Sequence, residues 1–333
     1  MELDGAIRVD LTTVSNAEWY AHIGVIGEEA GYFEPLGPKH SVFFAEEGPV
    51  LLVTFETRTA IRARPGDQLP LGHAIAKGNL WSNLTIIADE ESWYRDPAIY
   101  AYFDRLVDDA FFEDFDRVVF YGAGPGGYAA AAFSAVAPGA TVISLQPQAT
   151  LDPRVSGWDT RYEKMRRTSF TDRYGFAPDM LEGAGEGFVI YDPNEMLDAM
   201  HAALFTRDYV TRLPCPNIGG TIEAILAEMN ILEPMLVLAC EGRFTASAFW
   251  QLYRARRDVR HYLRNVLARL ESKNRTVLGA ILCRNVVRRL NAPRWVVRLN
   301  RLEAELMAKG ITLPPERPAP IPDVAALDKD TTG

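Results

Sequence analysis

The chain has 333 residues, 48 % of them hydrophobic and 24 % charged, and a formal net charge of −9. This length allows one large α/β domain with an appendage, or two modest domains. The first residues, MELDGAIRVDLTT, include acids and lack an apolar core segment, so we expect no secretory signal or transit peptide and a cytoplasmic location. The three cysteines form no C-x-x-C pair and indicate neither a disulfide framework nor a zinc knuckle.

Charge is distributed unevenly along the chain. Residues 241–310 contain 16 Arg and Lys against five Asp and Glu, a net charge of +11, so the rest of the chain carries −20. Such segregation is typical of a surface that binds a polyanion, a membrane or a partner. It is equally typical of a basic helical arm packed on its own acidic domain.

From residue 41 to 230, short apolar runs alternate with helical patterns, which predicts an α/β fold with a mostly parallel sheet and helices on both faces. Seven runs are predicted strands: SVFFAE, VLLVTFE, LTIIAD, VVFYG, TVISLQ, FVIYDP and YVTRLP. A helix is predicted for PAIYAYFDRLVDDAFF, which starts with Pro97 after an N-cap-like Asp96. Residues 118–151 carry no charge, but GPGG and Pro138-Gly139 interrupt them, so no transmembrane segment is predicted.

The strand pattern stops near residue 230. Four further segments predict helices: EPMLVLACEG, ASAFWQLYRARRDVRHYLRNVLARLE, TVLGAILCRNVVRRL and WVVRLNRLEAELMAKG. We therefore expect a domain at residues 1–240 with an insert at 150–185, a basic helical arm at 241–312, and a disordered proline-rich tail at 313–333.

The segment GAGPGG, from Gly122 to Gly127, admits two interpretations. It satisfies the dinucleotide-binding pattern G-x-G-x-x-G, and it would contain the nucleophile pattern G-x-S-x-G if Gly124 were a serine. At least three predicted strands precede it, and the next strand ends in Gln146 instead of the acid that holds a ribose. Both observations favour the nucleophile turn, with a nucleotide-dependent oxidoreductase as an alternative.

A buried strand, VVFYG, precedes this turn and an apolar helix, AAAAFSAVA, follows it, as in the nucleophile turn of a hydrolase. Tyr121 to Ala129, with LQPQ at residues 145–148, resemble the α/β-hydrolase superfamily. The resemblance is to bacterial proteins with turns of the type Y-G-S-S-M-G-G-Y-A-A and a following strand that ends in S-P-Q. It covers about residues 45–230 and implies an α/β-hydrolase-like fold.

The resemblance also implies a serine, an acid and a histidine, and two of these positions differ in this chain. Gly124 occupies the nucleophile position and has no side chain that could form an acyl-enzyme. Asp192 occupies the acid position, but Gly219, Gly220 and Thr221 stand where the histidine is expected. Loss of the nucleophile or its base removes nearly all covalent catalysis, so we predict a non-catalytic binding protein.

A turn without a nucleophile still offers backbone N–H groups and the positive end of a helix dipole. We therefore predict a site for a small molecule, with an anion as the candidate, and no cofactor; the alternative is a purely structural turn. The predicted site residues lie in the turn and at the end of the third strand: Gly122, Gly124, Pro125, Gly126, Gly127, Phe55 and Glu56.

The segment DPNEMLDAMHA offers a candidate replacement for the missing base. Asp198 and His201 are three residues apart and share a helix face. The alternative function is therefore an enzyme, an unconventional hydrolase or transferase with Asp192 and His201 as catalytic residues. The same segment also fits a capped helix with a surface ion pair. The other histidines are isolated, so no metal site is predicted.

The insert at 150–185 stands where hydrolases carry a cap and is rich in arginine and aromatic residues. Arg166 and Arg167 are candidates to hold an anionic ligand above the turn. Pairing with acidic residues of the same domain explains these arginines equally well.

Proteins similar to this chain are sometimes labelled phosphoadenosine phosphosulfate reductases. That family uses an S-G-G-x-D-S phosphate loop and a cysteine nucleophile in E-C-G-L-H, and neither motif occurs in this sequence. The residues therefore do not support that chemistry.

Overall fold

The structure, a computed structural model, describes residue 11, residues 14–290 and residues 292–315. The chain divides into two compact units, Met1–Tyr262 and Leu263–Gly333. Most of the tail predicted at 313–333 lies outside the described residues, as does the side chain of Arg166.

The first unit contains an eight-stranded sheet with the strand order β1-β2-β4-β3-β5-β6-β7-β8. The strands are β1 (Gly31–Leu36), β2 (His40–Ala45), β3 (Val50–Thr57), β4 (Ser82–Ala88), β5 (Arg117–Ala123), β6 (Thr141–Leu145), β7 (Glu186–Tyr191) and β8 (Val210–Pro214). β2 runs antiparallel to β1 and β4, and every pairing from β4 through β3 to β8 is parallel. The predicted mostly parallel, α/β-hydrolase-like sheet is confirmed.

Helices cover both faces of this sheet. They are α1 (Asn16–Ala30), α2 (Arg58–Ala63), α3 (Leu71–Asn79), α4 (Pro97–Asp108), α5 (Pro125–Phe133), α6 (Pro153–Ser156), α7 (Ala177–Met180), α8 (Met196–Ala203), α9 (Ile222–Glu228), α10 (Leu232–Cys240) and α11 (Ala246–Leu252). Short 3₁₀ turns lie at Phe111–Asp114, Ser134–Val136, Glu163–Arg167, Leu181–Gly183 and Tyr253–Asp258.

The central strand β5 shows how the two hydrophobic clusters form. Its alternate residues Val118 and Phe120 pack into one cluster with side chains of α4 and α5. Val119 and Tyr121 point to the opposite face and pack with α9 and α10. A strand that is apolar on both faces is buried on both, as parallel sheets require.

The sequence pattern predicts seven strands, and β1 is the one it misses. β1 lies at the sheet edge, contains Pro35 and buries only Leu36 fully, so its apolar pattern is weak. With β1 included, the glycine turn follows the fifth strand. The pattern also misses α1, which begins with a capping box between Ser15 and Glu18.

The single helix predicted from residue 246 to 271 is wrong, because the chain breaks there. α11 ends at Leu252 and a 3₁₀ turn follows. α12 (Arg260–Ser272) starts only after Val259, which is in an extended conformation. Tyr253 and Val259 are buried in the second cluster of the first unit, and the break places both side chains there.

The second unit consists, within its described residues, of the rest of α12 with α13 (Thr276–Arg289) and α14 (Pro293–Ala308). Its buried side chains are Leu263, Leu267, Ala280, Cys283, Val286, Trp295, Leu302 and Leu306. Glu271 forms ion pairs with Arg298 and Arg301. Across the described residues of both units, no helix has the length and apolar character needed to span a membrane.

Candidate functional site

The turn after β5 has the geometry of a nucleophile elbow, with Gly124 at its apex. Gly124 has φ 55° and ψ −120°, a left-handed conformation that costs glycine little and other residues more. Its N–H donates to the Leu145 carbonyl at 2.7 Å, and its carbonyl accepts from Tyr128 N at 3.0 Å. The turn is therefore anchored to β6 on one side and to α5 on the other.

The glycines beside the apex are needed because backbone segments approach each other closely. A Cβ atom at Gly126 would lie 2.5 Å from the Phe55 carbonyl oxygen, and one at Gly122 would meet the Gly126 carbonyl more closely still. Gly127 is similarly confined. A Cβ at Gly124 would have no atom within 4 Å, so the apex has room for a side chain and carries none.

Pro125 directly follows the apex of the turn and begins α5. In α/β-hydrolases the backbone N–H of the residue after the nucleophile is one of the donors of the oxyanion hole. Proline has no N–H, and it is favoured at the first position of a helix, which Pro125 occupies in α5. This turn therefore lacks both a nucleophile and that donor. The identity of Pro125 was visible in the sequence, although its consequence was missed there.

A cavity of about 490 Å³ lies beside the turn. Ala123, Pro125 and Gly126 of the turn line it together with the aromatic residues Phe55 and Tyr94. Its charged lining residues are Glu56, Arg64, Glu90, Glu91 and Glu223. The structure thus brings the predicted residues Phe55, Glu56, Pro125 and Gly126 together around one space.

Glu56, at the end of β3, is buried and fully engaged. It accepts hydrogen bonds from Leu71 N at 3.1 Å and Gly72 N at 3.2 Å, and it pairs closely with Arg64. Arg64 Nη2 also lies 3.7 Å from Glu223 Oε1. Burial acts to lower the pKa of Arg64, but the negative charges of Glu56 and Glu223 outweigh burial and raise that pKa.

Glu223 is a site residue that the sequence did not single out. It lies in the first turn of α9, directly after the loop where the histidine is expected, and its Oε1 accepts from the Tyr121 hydroxyl at 2.6 Å. Burial, followed by the charge of Glu223, raises the pKa of Tyr121 well above its usual range. The available signal was an acid two residues after Thr221, at the start of a helix.

The candidate acid Asp192 accepts hydrogen bonds from backbone N–H groups, whereas the acid of a catalytic triad accepts one from a histidine. It is buried, and it accepts from Asn194 N at 2.8 Å and from Gly219 N at 2.9 Å. Gln146 fixes the same loop, because its amide donates to the Gly220 carbonyl at 3.1 Å and accepts from Ile222 N at 2.9 Å. The loop after β8 is therefore held without a histidine.

His201 is buried away from the residues that line the cavity. Its Nδ1 accepts from Ala149 N at 3.2 Å, so Nε2 carries the proton and donates to Asp159 at 3.0 Å. Burial lowers the pKa of His201 despite the neighbouring carboxylate. A neutral imidazole with both nitrogens engaged is a poor general base. Among the described residues, no group of three or more His, Cys, Asp or Glu is placed to hold a metal ion.

The arginines of the insert differ in their surroundings. Arg161 bridges Asp159 at 2.8 Å and Asp198 at 2.6 Å. Two others pair with single carboxylates: Arg154 with Asp152 at 2.6 Å and Arg173 with Asp104 at 2.7 Å. Arg167 is exposed and is not among the residues that line the cavity, and the side chain of Arg166 lies outside the described part of the chain.

Comparison with known proteins finds chains of similar structure among the solved structures. No family model and no curated protein matches it. Est1E from Butyrivibrio proteoclasticus is 13 % identical with a TM-score of 0.39, covering 62 % of this chain and 96 % of that one. A hormone-sensitive lipase from a metagenome library is 16 % identical with a TM-score of 0.42, covering 71 % and 93 %. EstE7, a homologue of hormone-sensitive lipase and also from a metagenome library, is 16 % identical with a TM-score of 0.43, covering 70 % of this chain and 95 % of that one.

Proposed function

We propose that this protein binds a small molecule beside the turn after β5 and does not catalyse serine-type hydrolysis. The observation that carries the proposal is the Gly124–Pro125 pair. Gly124 supplies no nucleophilic oxygen, and Pro125 supplies no N–H to stabilise an oxyanion. Serine-type hydrolysis needs the nucleophile to attack the carbonyl carbon and the N–H group to stabilise the oxyanion that forms. The turn provides neither group.

The loop after β8 supports the same proposal. Asp192 Oδ2 accepts a hydrogen bond from Gly219 N, so this carboxylate already has a backbone partner in the place of a histidine. The alternative enzyme, with His201 as base, has less support because both His201 nitrogens are engaged. The nucleotide-dependent alternative needs an acid after β6, and Gln146 holds that position with its amide bonded to the loop after β8.

The test is covalent labelling by a serine-directed fluorophosphonate, followed by intact mass measurement. We expect no adduct on the native chain. The variant Gly124→Ser with Pro125→Ala and Gly220→His restores a nucleophile, a donor and a base, and Gly220 has room for a side chain and no positive φ. We expect labelling of this variant, and none of the matched control with Gly124→Ala in place of Gly124→Ser. A stoichiometric adduct on the native chain would contradict the proposal.

We propose separately that the basic arm at 241–312 binds a polyanion or an acidic partner protein. The specific observation is that several arginines of the second unit are exposed: Arg264, Arg269, Arg275 and Arg294. The test is retention on heparin as salt is raised. We expect the double variant Arg264→Glu with Arg269→Glu to elute at lower salt than the native chain. Equal elution would contradict this second proposal.

A further inference from the structure

The cavity beside the elbow is strongly acidic for its size. Four glutamates and one arginine line it, a formal charge of −3. The arginine, Arg64, already lies between Glu56 and Glu223, so its charge is used within the protein. Glu90 and Glu91 are exposed at the rim. An anionic ligand would therefore meet net repulsion, and the helix terminus at Gly126 offers only about half a positive charge against it.

Glu223 lines the cavity and has one carboxylate oxygen without a hydrogen bond. The Tyr121 hydroxyl donates to Oε1, Arg64 Nη2 lies 3.7 Å from the same oxygen, and no hydrogen bond to Oε2 is found among the described residues. The side chain is 30 % exposed although its neighbours Tyr121 and Glu56 are buried. An acceptor of this kind suits a donor that is brought by a ligand.

Tyr94 provides an independent sign that a polar ligand group enters the cavity. The residue is 1 % exposed and lines the cavity, yet its hydroxyl has no hydrogen-bond partner in the described part of the chain. Burial, and then the charges of Glu56 and Glu223, raise the pKa of Tyr94. A hydroxyl without a protein partner can donate to, or accept from, a polar group of a ligand.

Two aromatic residues, Tyr94 and Phe55, also line the cavity. The rings of Tyr94 and Phe55 meet edge to face with their centroids 5.1 Å apart. Tyr94 has φ 56°, a left-handed conformation that is uncommon for a bulky residue, and its N–H is held by Ser92 Oγ at 3.0 Å. The strained backbone thus keeps the ring at the edge of the cavity.

We infer that this cavity binds a small molecule with a primary ammonium group and an apolar or aromatic body. The ammonium group donates to Glu223 Oε2 and lies near the rim glutamates, and the body contacts the rings of Tyr94 and Phe55. The inference rests on the proposed binding function and specifies the charge of the ligand. The sequence suggests an anionic ligand held by arginines of the insert. Arg154, Arg161 and Arg173 are already paired with carboxylates of the protein, so we replace the anion by a cation.

The test compares three probes of one size and different charge by isothermal titration calorimetry. Tyramine carries an ammonium group, tyrosol is neutral, and 4-hydroxyphenylacetate is an anion. We expect tyramine to bind at least about tenfold more tightly than tyrosol. We expect 4-hydroxyphenylacetate to bind most weakly, and added salt to weaken only the binding of tyramine.

A matched pair of variants on one helix identifies the carboxylate. Glu223→Gln keeps an oxygen for the Tyr121 hydroxyl and removes the charge, so we expect about a tenfold loss of tyramine affinity, ~1.4 kcal/mol, and a smaller preference for tyramine over tyrosol. Glu228→Gln removes an exposed charge of α9 that does not line the cavity, and we expect no change. Melting curves of both variants verify that they fold.

Three results would overturn the inference: equal or tighter binding of 4-hydroxyphenylacetate, equal effects of the two variants, or binding of none of the probes at about 1 mM. Each of these results concerns binding of the probes and is independent of whether the fluorophosphonate labels the native chain. Failure of the inference is therefore distinguishable from failure of the proposed function, which appears as covalent labelling of the native chain.

Discussion

Two clusters in the first unit are built from the same parts, an arginine between two carboxylates. In the open cluster, Arg64 lies between Glu56 and Glu223 beside the elbow. In the closed cluster, Arg161 lies between Asp159 and Asp198 and joins the insert to α8. The open cluster lines a cavity of about 490 Å³, and the residues of the closed cluster are not among those that line it.

The clusters differ in how completely their oxygens are used. Asp159 and Asp198 have side chains that are 0 % and 5 % exposed, and Asp159 also accepts from His201. Asp198 accepts from Gln146 as well as from Arg161. Glu223, 30 % exposed, keeps one oxygen without a described contact. The two clusters share residue types and charge, and the unused hydrogen-bonding capacity of the open cluster is the difference on which the proposed binding role rests.

The largest effect is expected from Asp159→Ala in the closed cluster. The change leaves His201 without its acceptor and Arg161 without one of its two partners, and breaking such a buried pair costs about 3 to 5 kcal/mol of unfolding free energy. Urea unfolding measures the loss. The control is Asp179→Ala, which breaks the exposed pair with Arg207 and should cost less than about 1 kcal/mol. Similar losses of unfolding free energy in both variants would show that the closed cluster does not stabilise the fold more than an exposed ion pair does.

The next largest loss of stability is expected from substitutions in the glycine turn beside the open cluster. Gly122→Ala places a Cβ against the Gly126 carbonyl, and we expect a loss of about 3 kcal/mol because backbone must move. Gly124→Ala meets no atom within 4 Å, so only its left-handed conformation is strained, for about 1 to 2 kcal/mol. Denaturant unfolding of both variants ranks them. The reverse ranking would contradict the described elbow.

The closed cluster should also make stability depend on pH. Burial lowers the pKa of His201 below its unfolded value of about 6.5, so the unfolded state binds more protons between those two values. The stability that neutral His201 contributes is present above pH ~6.5 and falls as pH drops below it, by at most about 1.4 kcal/mol per unit.

The difference between the native chain and His201→Gln isolates this contribution. The variant is less stable at neutral pH, and its deficit in unfolding free energy should narrow as pH falls from 7.5 to 5.5, by about 1 kcal/mol. Unfolding curves at several pH values measure the difference. A deficit that stays constant or widens on acidification would mean that His201 is not held neutral by its surroundings.

The smallest stability effect is expected in the open cluster. Glu223→Gln should change the unfolding free energy by less than about 1 kcal/mol, because the side chain is partly exposed and the amide oxygen still accepts from Tyr121. Thermal unfolding with and without tyramine measures both effects. A loss of stability as large as that of Asp159→Ala would abolish the distinction between the two clusters.

The sequence predicts those parts of the fold that depend on local pattern. The buried strand before the glycine turn, the apolar helix after it, the acid after β7 and the absence of a histidine after β8 all follow from short segments. β1 escapes because an edge strand with a proline carries little apolar signal. The absence of an N–H at Pro125 was available from the sequence and was not used.

The open cluster could not be predicted in this way. Glu56, Arg64 and Glu223 come from β3, the segment after α2 and the start of α9, and Tyr121 comes from β5. Only the parallel order of the strands brings these residues to one edge of the sheet. Arg161 and Arg173 of the insert show the same limit, since their partners Asp198 and Asp104 lie on α8 and α4.

The proposal that the site beside the elbow does not perform serine-type hydrolysis is tested most directly by the turnover of p-nitrophenyl acetate. The native chain and His201→Gln are compared with a buffer blank at equal protein concentration. We predict that both release p-nitrophenol at the rate of the blank. Steady turnover by the native chain that disappears in His201→Gln would contradict the account and identify an enzyme with an unconventional base.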